Sequence, residues 1–119
     1  FILLVLEIKD VQSGYFAFSF VTKSFIRRLN LEYLKHDYTT DIISFNLADS
    51  GESIHGDVYI CTEVAVENSR LFDTLFEDEI RLLVTHGILH LLGYVDYTDE
   101  EKQIMETEQN RVLALIKNG

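Results

Sequence analysis

The sequence predicts an α+β fold: a small mixed β-sheet of about four strands, helices around it, and a metal site on a buried central helix. Three observations carry this prediction. Apolar residues alternate with period two in the first half of the chain, which is the mark of half-buried strands. They recur at helical spacing in the second half. Two histidines four apart, His86 and His90, sit inside the most apolar of the helical stretches. With 119 residues the chain has room for one domain, 1–119, and an apolar content of 47% with 25% charged residues fits a globular one.

Phe1-Ile2-Leu3-Leu4-Val5-Leu6 reads as a first strand. It is too short to span a bilayer and lacks the flanks of a signal peptide, so no membrane role is expected. Because the chain opens on Phe1 rather than Met, its start is expected to have been trimmed. The single cysteine, Cys61, permits no internal disulfide and points to a reducing, cytoplasmic compartment, with the thiol itself a buried strand residue. After Gly14, the run Tyr15–Val21 alternates Phe16, Phe18 and Phe20 against smaller residues and predicts a strand with one apolar face.

From Lys23 to Lys35 the apolar positions Phe25, Ile26, Leu29 and Tyr33 recur at helical spacing. This helix also holds Lys23, Arg27, Arg28 and Lys35, four of the ten basic residues, as either a solvated face or a phosphate-contacting patch. Residues 41–47 and 56–61 read as two more strands. In the second, Val58 and Ile60 share one face while Asp57, Tyr59 and Cys61 share the other. A helix over 63–72 follows. Thr74 with Glu77, and Thr98 with Glu101, have the spacing of capping boxes that would start the last two helices. Asp99, Glu100 and Glu101 are favoured at a helix N-terminus on electrostatic grounds alone and are read as structural.

The helix between those two boxes carries the chemistry. His86 and His90 project from one face, one turn apart, as two cis ligands of a small tetrahedral ion would. Gly93 supplies the residue type that ends a helix in a left-handed turn, and that turn could bring Asp96 back to the same ion. Ile80, Leu82, Leu83, Val84, Ile88, Leu89, Leu91 and Leu92 surround the pair, so the helix is buried and its imidazoles need partners. The alternative for the two histidines is a pair of core side chains bonded to backbone carbonyls. Three protein ligands leave zinc one open position, the catalytic rather than the structural pattern.

His86-Gly87-Ile88-Leu89-His90-Leu91-Leu92-Gly93-Tyr94 resembles the signature of the YbeY family of metal-dependent endoribonucleases. The family's third histidine falls at position 96, where this chain has Asp96, itself a competent zinc ligand. Leu29-Asn30, Tyr33, Thr40–Phe45 and Gly56-Asp57-Val58 resemble the family's other blocks, so the likeness runs from about Phe18 onward. It implies a roughly four-stranded sheet with helices around it, and a short helix near the start that a chain beginning at Phe1 is expected to lack. It also implies one zinc ion per chain on His86, His90 and Asp96, and single-strand-specific cleavage of RNA in ribosomal RNA maturation and ribosome quality control. Implied partners are ribosomal RNA, with small-subunit ribosomal proteins or a ribosome-assembly GTPase. Substrate contact is expected from Arg27, Arg28, Lys35, Ser44 and His55. Many members carry an arginine directly after the position of Tyr33, where this chain has Leu34.

Two other readings stay open. Metzincin proteases share the spacing of His86, His90, Gly93 and Asp96, but their general base follows the first histidine, where this chain has Gly87. A non-catalytic ribosome-associated module would instead close the metal with a fourth ligand such as His36 or His55. The net charge of −10 also sets this chain apart from most nucleic-acid binders, and ten of its twenty acidic residues lie between Asp73 and Glu108.

Overall fold

The computed structural model describes residues 1–48 and 54–118. In chain order the elements are α1 (Ile2–Ile8), β1 (Gly14–Val21), α2 (Lys23–Leu34), β2 (Ile42–Asn46), β3 (Ile54–Cys61), α3 (Thr62–Leu71), α4 (Phe76–Leu91) and α5 (Asp99–Asn118). Among the described residues the sheet has three strands in the order β1-β3-β2. Strand β3 runs parallel to β1 and antiparallel to β2, so the sheet is mixed as expected.

The missing fourth strand is α1. The segment expected to be extended is a helix, and the short helix expected to be absent from the start is present. A six-residue apolar run has no periodicity of its own, and packing decides it. Ile2, Val5 and Leu6 face the core while Leu3 is 80% exposed, which is helical and not alternating spacing. The expected apolar face of β1 is also shorter than read. Phe16 and Phe18 pack against the core, but Phe20 at the far end is largely exposed.

Strand β3 divides the interior. On one face Val58 and Ile60 join Val5 of α1, Ala65 of α3, Leu83, Val84, Ile88 and Leu91 of α4, and Val112 of α5. On the other, Cys61 joins Ile43 of β2 and Ile26 of α2. The split follows the alternation of the strand, and each fully buried aliphatic side chain contributes roughly 1.5–3 kcal/mol. Helix α4 is therefore a central element, covered by the sheet on one side and by α1, α3 and α5 around it. It lies close to the sheet because position 87 has no side chain. A Cβ there would stand 3.0 Å from Val58 Cγ1 and 3.2 Å from Ile42 Cδ1.

The two capping boxes part company. Thr98 N–H donates to Glu101 Oε1 at 3.0 Å and Glu101 N–H donates back to Thr98 Oγ1 at 3.1 Å, which starts α5. Helix α4 instead begins after Leu75, with no side-chain cap, so Thr74 and Glu77 do not form the expected box. The chain turns there through Asp73 at φ 53°, and Thr74 N–H is taken by Ser69 O at 2.9 Å.

Candidate metal centre

The site is built from the last turn of α4 and the bend that follows it. Gly93 sits at φ 101°, a conformation open to glycine and strained for other residues. Its N–H donates to His90 O at 3.1 Å and Tyr94 N–H donates to Leu89 O at 3.0 Å, the paired bonds of a Schellman ending. That ending reverses the chain and returns Asp96 beside the helix it left. His86 Nε2 and His90 Nε2 lie 3.0 Å apart, and Asp96 Oδ2 is 3.9 and 3.6 Å from them. These three side chains form a group able to hold a metal ion. A tetrahedral zinc with bonds of about 2 Å would place its donor atoms about 3.3 Å apart. The observed separations bracket that value, so the donor set fits the ion.

Each imidazole is oriented from behind. His86 Nδ1 is 3.0 Å from Gln109 Oε1 on α5, and since that oxygen only accepts, Nδ1 carries the proton and Nε2 presents its lone pair. His90 is held by a backbone hydrogen bond at Tyr94, and its pKa is lowered by burial and then by His86, against an opposing pull from Asp96. The neutral form is the one that binds a metal. Tyr94 is fixed in turn. Its hydroxyl donates to Glu108 Oε2 at 3.0 Å and accepts from Lys9 Nζ at 2.9 Å, while Glu108 also pairs with Lys9 and Arg111. These three cationic and tyrosyl partners hold the Glu108 carboxyl down at about 2, with Arg111 contributing most.

The trio opens into a cleft of about 450 Å³, lined also by Asn30, Tyr38, Thr40, Ser44 and Tyr97. Ser44 Oγ is buried there, and it has no hydrogen-bond partner among the described residues. Leu34 and His36 reach the same cleft, and His36 Nδ1 is 3.2 Å from the Tyr38 hydroxyl. The other residues expected at the substrate lie outside the lining. Arg27 Nε donates to Asp37 at 2.8 Å, Arg28 stands 5.9 Å from the centre of the Phe25 ring, and Lys35 Nζ bonds to Glu32 O at 3.1 Å. The His55 ring packs edge-on against Tyr15 at 5.2 Å. Sequence reading missed Gln109, Tyr38, Tyr97 and the Lys9–Glu108 pair. Only Gln109 left a sign, a polar residue in the apolar stripe of Met105 and Val112, at helical spacing from both.

Comparison with known proteins agrees with this geometry. The family model for Endoribonuclease YbeY matches residues 4–117. An Endoribonuclease YbeY of Christiangramia forsetii is 38% identical over 111 residues, covering 93% of this chain and 77% of the relative. That of Bacteroides fragilis is 40% identical over 104 residues, covering 87% and 74%. The solution structure of a Thermotoga maritima protein superposes with a TM-score of 0.68 at 30% identity, over 92% of this chain and 74% of the other. The likeness read from about Phe18 onward thus extends over residues 4–117, and the chain belongs to the endoribonuclease YbeY family.

Proposed function

We propose that this protein is a zinc-dependent endoribonuclease that cuts single-stranded RNA, with ribosomal RNA in the cytoplasm as its substrate during ribosome maturation. One observation carries the reading: two imidazole nitrogens and one carboxylate oxygen converge on a single point at the edge of an open cleft. Three ligands and an accessible fourth side make a hydrolytic centre rather than a structural one. The relatives' name supplies the substrate class.

Zinc bound there would acidify a water molecule and stabilise charge developing on a phosphate. The rest is the work of the chain. Burial favours the neutral form of His90, Gln109 fixes the tautomer of His86, and the Gly93 bend sets Asp96 in place. Ser44 lines the cleft as a candidate substrate contact, with its hydroxyl buried and without a partner among the described residues. The basic residues of α2 lie outside the cleft and act through long-range attraction. The protein partners in this reading are small-subunit ribosomal proteins or a ribosome-assembly GTPase. Among the described residues no helix is long and apolar enough to cross a membrane.

The protease reading is not favoured. A glutamate at position 87 would have to displace Val58 and Ile42, so the fold has no place for that base. The closed-site reading is not favoured either, since neither His36 nor His55 belongs to the converging group.

Elemental analysis of protein purified without added metal should find about one zinc per chain. Cleavage of a single-stranded RNA should stop on chelation and return with zinc. The double variant His86→Ala/His90→Ala should lose both. Full zinc occupancy in that variant would place the ion elsewhere and overturn the assignment.

A further inference from the structure

The cleft poses a problem for a phosphate-binding enzyme. Among the described residues its lining contains no lysine or arginine, while Asp41 and Asp96 both reach it. Neutralisation of phosphates by basic side chains, the usual source of affinity for nucleic acid, is therefore missing from the described lining, which leaves that work to the proposed metal ion alone. The lining contains exposed rings instead. Tyr38 is 55% exposed and Tyr97 is 85% exposed, and both line the cleft that holds the three donor side chains.

We propose that Tyr38 and Tyr97 are base-stacking residues that hold unpaired nucleobases next to the metal centre, so that the protein grips RNA by its bases more than by its phosphates. This deepens the endoribonuclease reading and rests on it. The Tyr38 ring is positioned, not loose. It lies nearly parallel to the His36 ring, 13° between planes with centroids 5.3 Å apart, so its outer face would continue an existing stack. Asn30, 1% exposed, anchors that loop from both of its polar ends. Its side-chain Nδ2 donates to Tyr38 O at 3.0 Å, and its backbone O accepts from His36 N–H at 3.1 Å.

Tyr97 is set by its neighbours in the chain. It lies between Asp96 of the converging trio and Thr98, which caps α5. A large ring so exposed gains nothing for folding, yet it offers an open π-face one residue from the metal donors. Base–aromatic stacking tolerates any sequence but requires a base with a free face. Paired bases inside a duplex lack one, and selection of single strands follows.

The test uses zinc-loaded full-length protein and a short single-stranded RNA carrying 2-aminopurine, whose fluorescence falls on stacking. Three ligands are compared: the intact strand, the same strand with abasic sites, and its duplex. Intact RNA should bind at least tenfold tighter than the other two. Tyr38→Ala and Tyr97→Ala should each weaken binding roughly tenfold and reduce the quenching, with zinc content unchanged. Tyr38→Phe and Tyr97→Phe should restore both, since a phenyl ring stacks as well. Equal affinity for intact and abasic strands overturns the stacking role while leaving the nuclease reading in place. Unchanged binding in both alanine variants does the same. If the loaded protein neither binds nor cuts any RNA, both fall.

Discussion

Gln109 is the residue that sets which nitrogen His86 presents to the candidate metal point, because an amide oxygen behind Nδ1 leaves only Nε2 facing forward. Removing that acceptor should cost metal affinity without touching a ligand. Gln109→Leu is expected to weaken zinc binding about 10–100-fold, and Gln109→Glu to retain it, measured by competition with a chromophoric chelator. Unchanged affinity in the leucine variant would show that packing alone orients the ring. The histidine pair itself was legible in the sequence, because four-residue spacing on a helix fixes a shared face whatever the tertiary structure. The glycine at position 93 was legible for a similar reason, since its φ of 101° suits few other residues. Gln109 was not, because what makes an amide in an apolar stripe functional is a contact 23 positions away in the chain.

At the scale of elements, two buried or half-buried carboxylates act on stability in opposite directions. Glu108 joins the end of α1 to α5 through Lys9, and its pKa sits near 2 against an ordinary 4.5. A depressed carboxyl contributes stability above its unfolded pKa, and that contribution is lost as pH falls from about 4.5 to 2. Glu108→Gln should therefore lower Tm at pH 7, with the two proteins converging as pH approaches 2. Glu79 of α4 is 7% exposed, and its pKa is raised by burial, with Asp41 adding to the rise and a bond from Asn68 opposing it. A raised carboxyl opposes folding once pH passes its ordinary 4.5, because the unfolded chain ionises more readily. Glu79→Gln should raise Tm at pH 7 by a few degrees and change it little at pH 4. A fall at pH 7 would mean that the hydrogen bond from Asn68 outweighs desolvation. Neither effect was readable beforehand, since both depend on which helices meet. The same limit explains α1: six apolar residues suit a strand or a helix equally until a neighbouring face selects one. Strands β1 to β3 and helices α2 to α5 were legible because their longer patterns carry a period.

For the whole molecule, the net charge of −10 works against RNA at a distance, and salt screens that repulsion. A protein making 6–10 phosphate contacts shows a steep loss of affinity with salt, with a slope of roughly −0.7 per contact on a single strand. Among the described residues the cleft lining has no lysine or arginine, so the slope of log K against log salt should be shallower than about −2. A steeper slope would mean that Arg27 and Arg28 leave their intramolecular partners and meet phosphates directly, which charge reversal at both would then abolish. Charge was a poor guide in the sequence because composition does not say where a cation lies relative to the site. The tie from Lys9 to Tyr94 and Glu108 spans separations of 85 and 99 residues. Its consequence concerns the birth of the protein. A ribosome that has translated only as far as residue 100 has already produced His86, His90 and Asp96, but not Gln109 or Glu108. The growing chain then has its donors without the parts that aim them. Cutting activity should arise abruptly when α5 docks, so that a half-made copy, still attached to the RNA-rich particle that is making it, remains harmless.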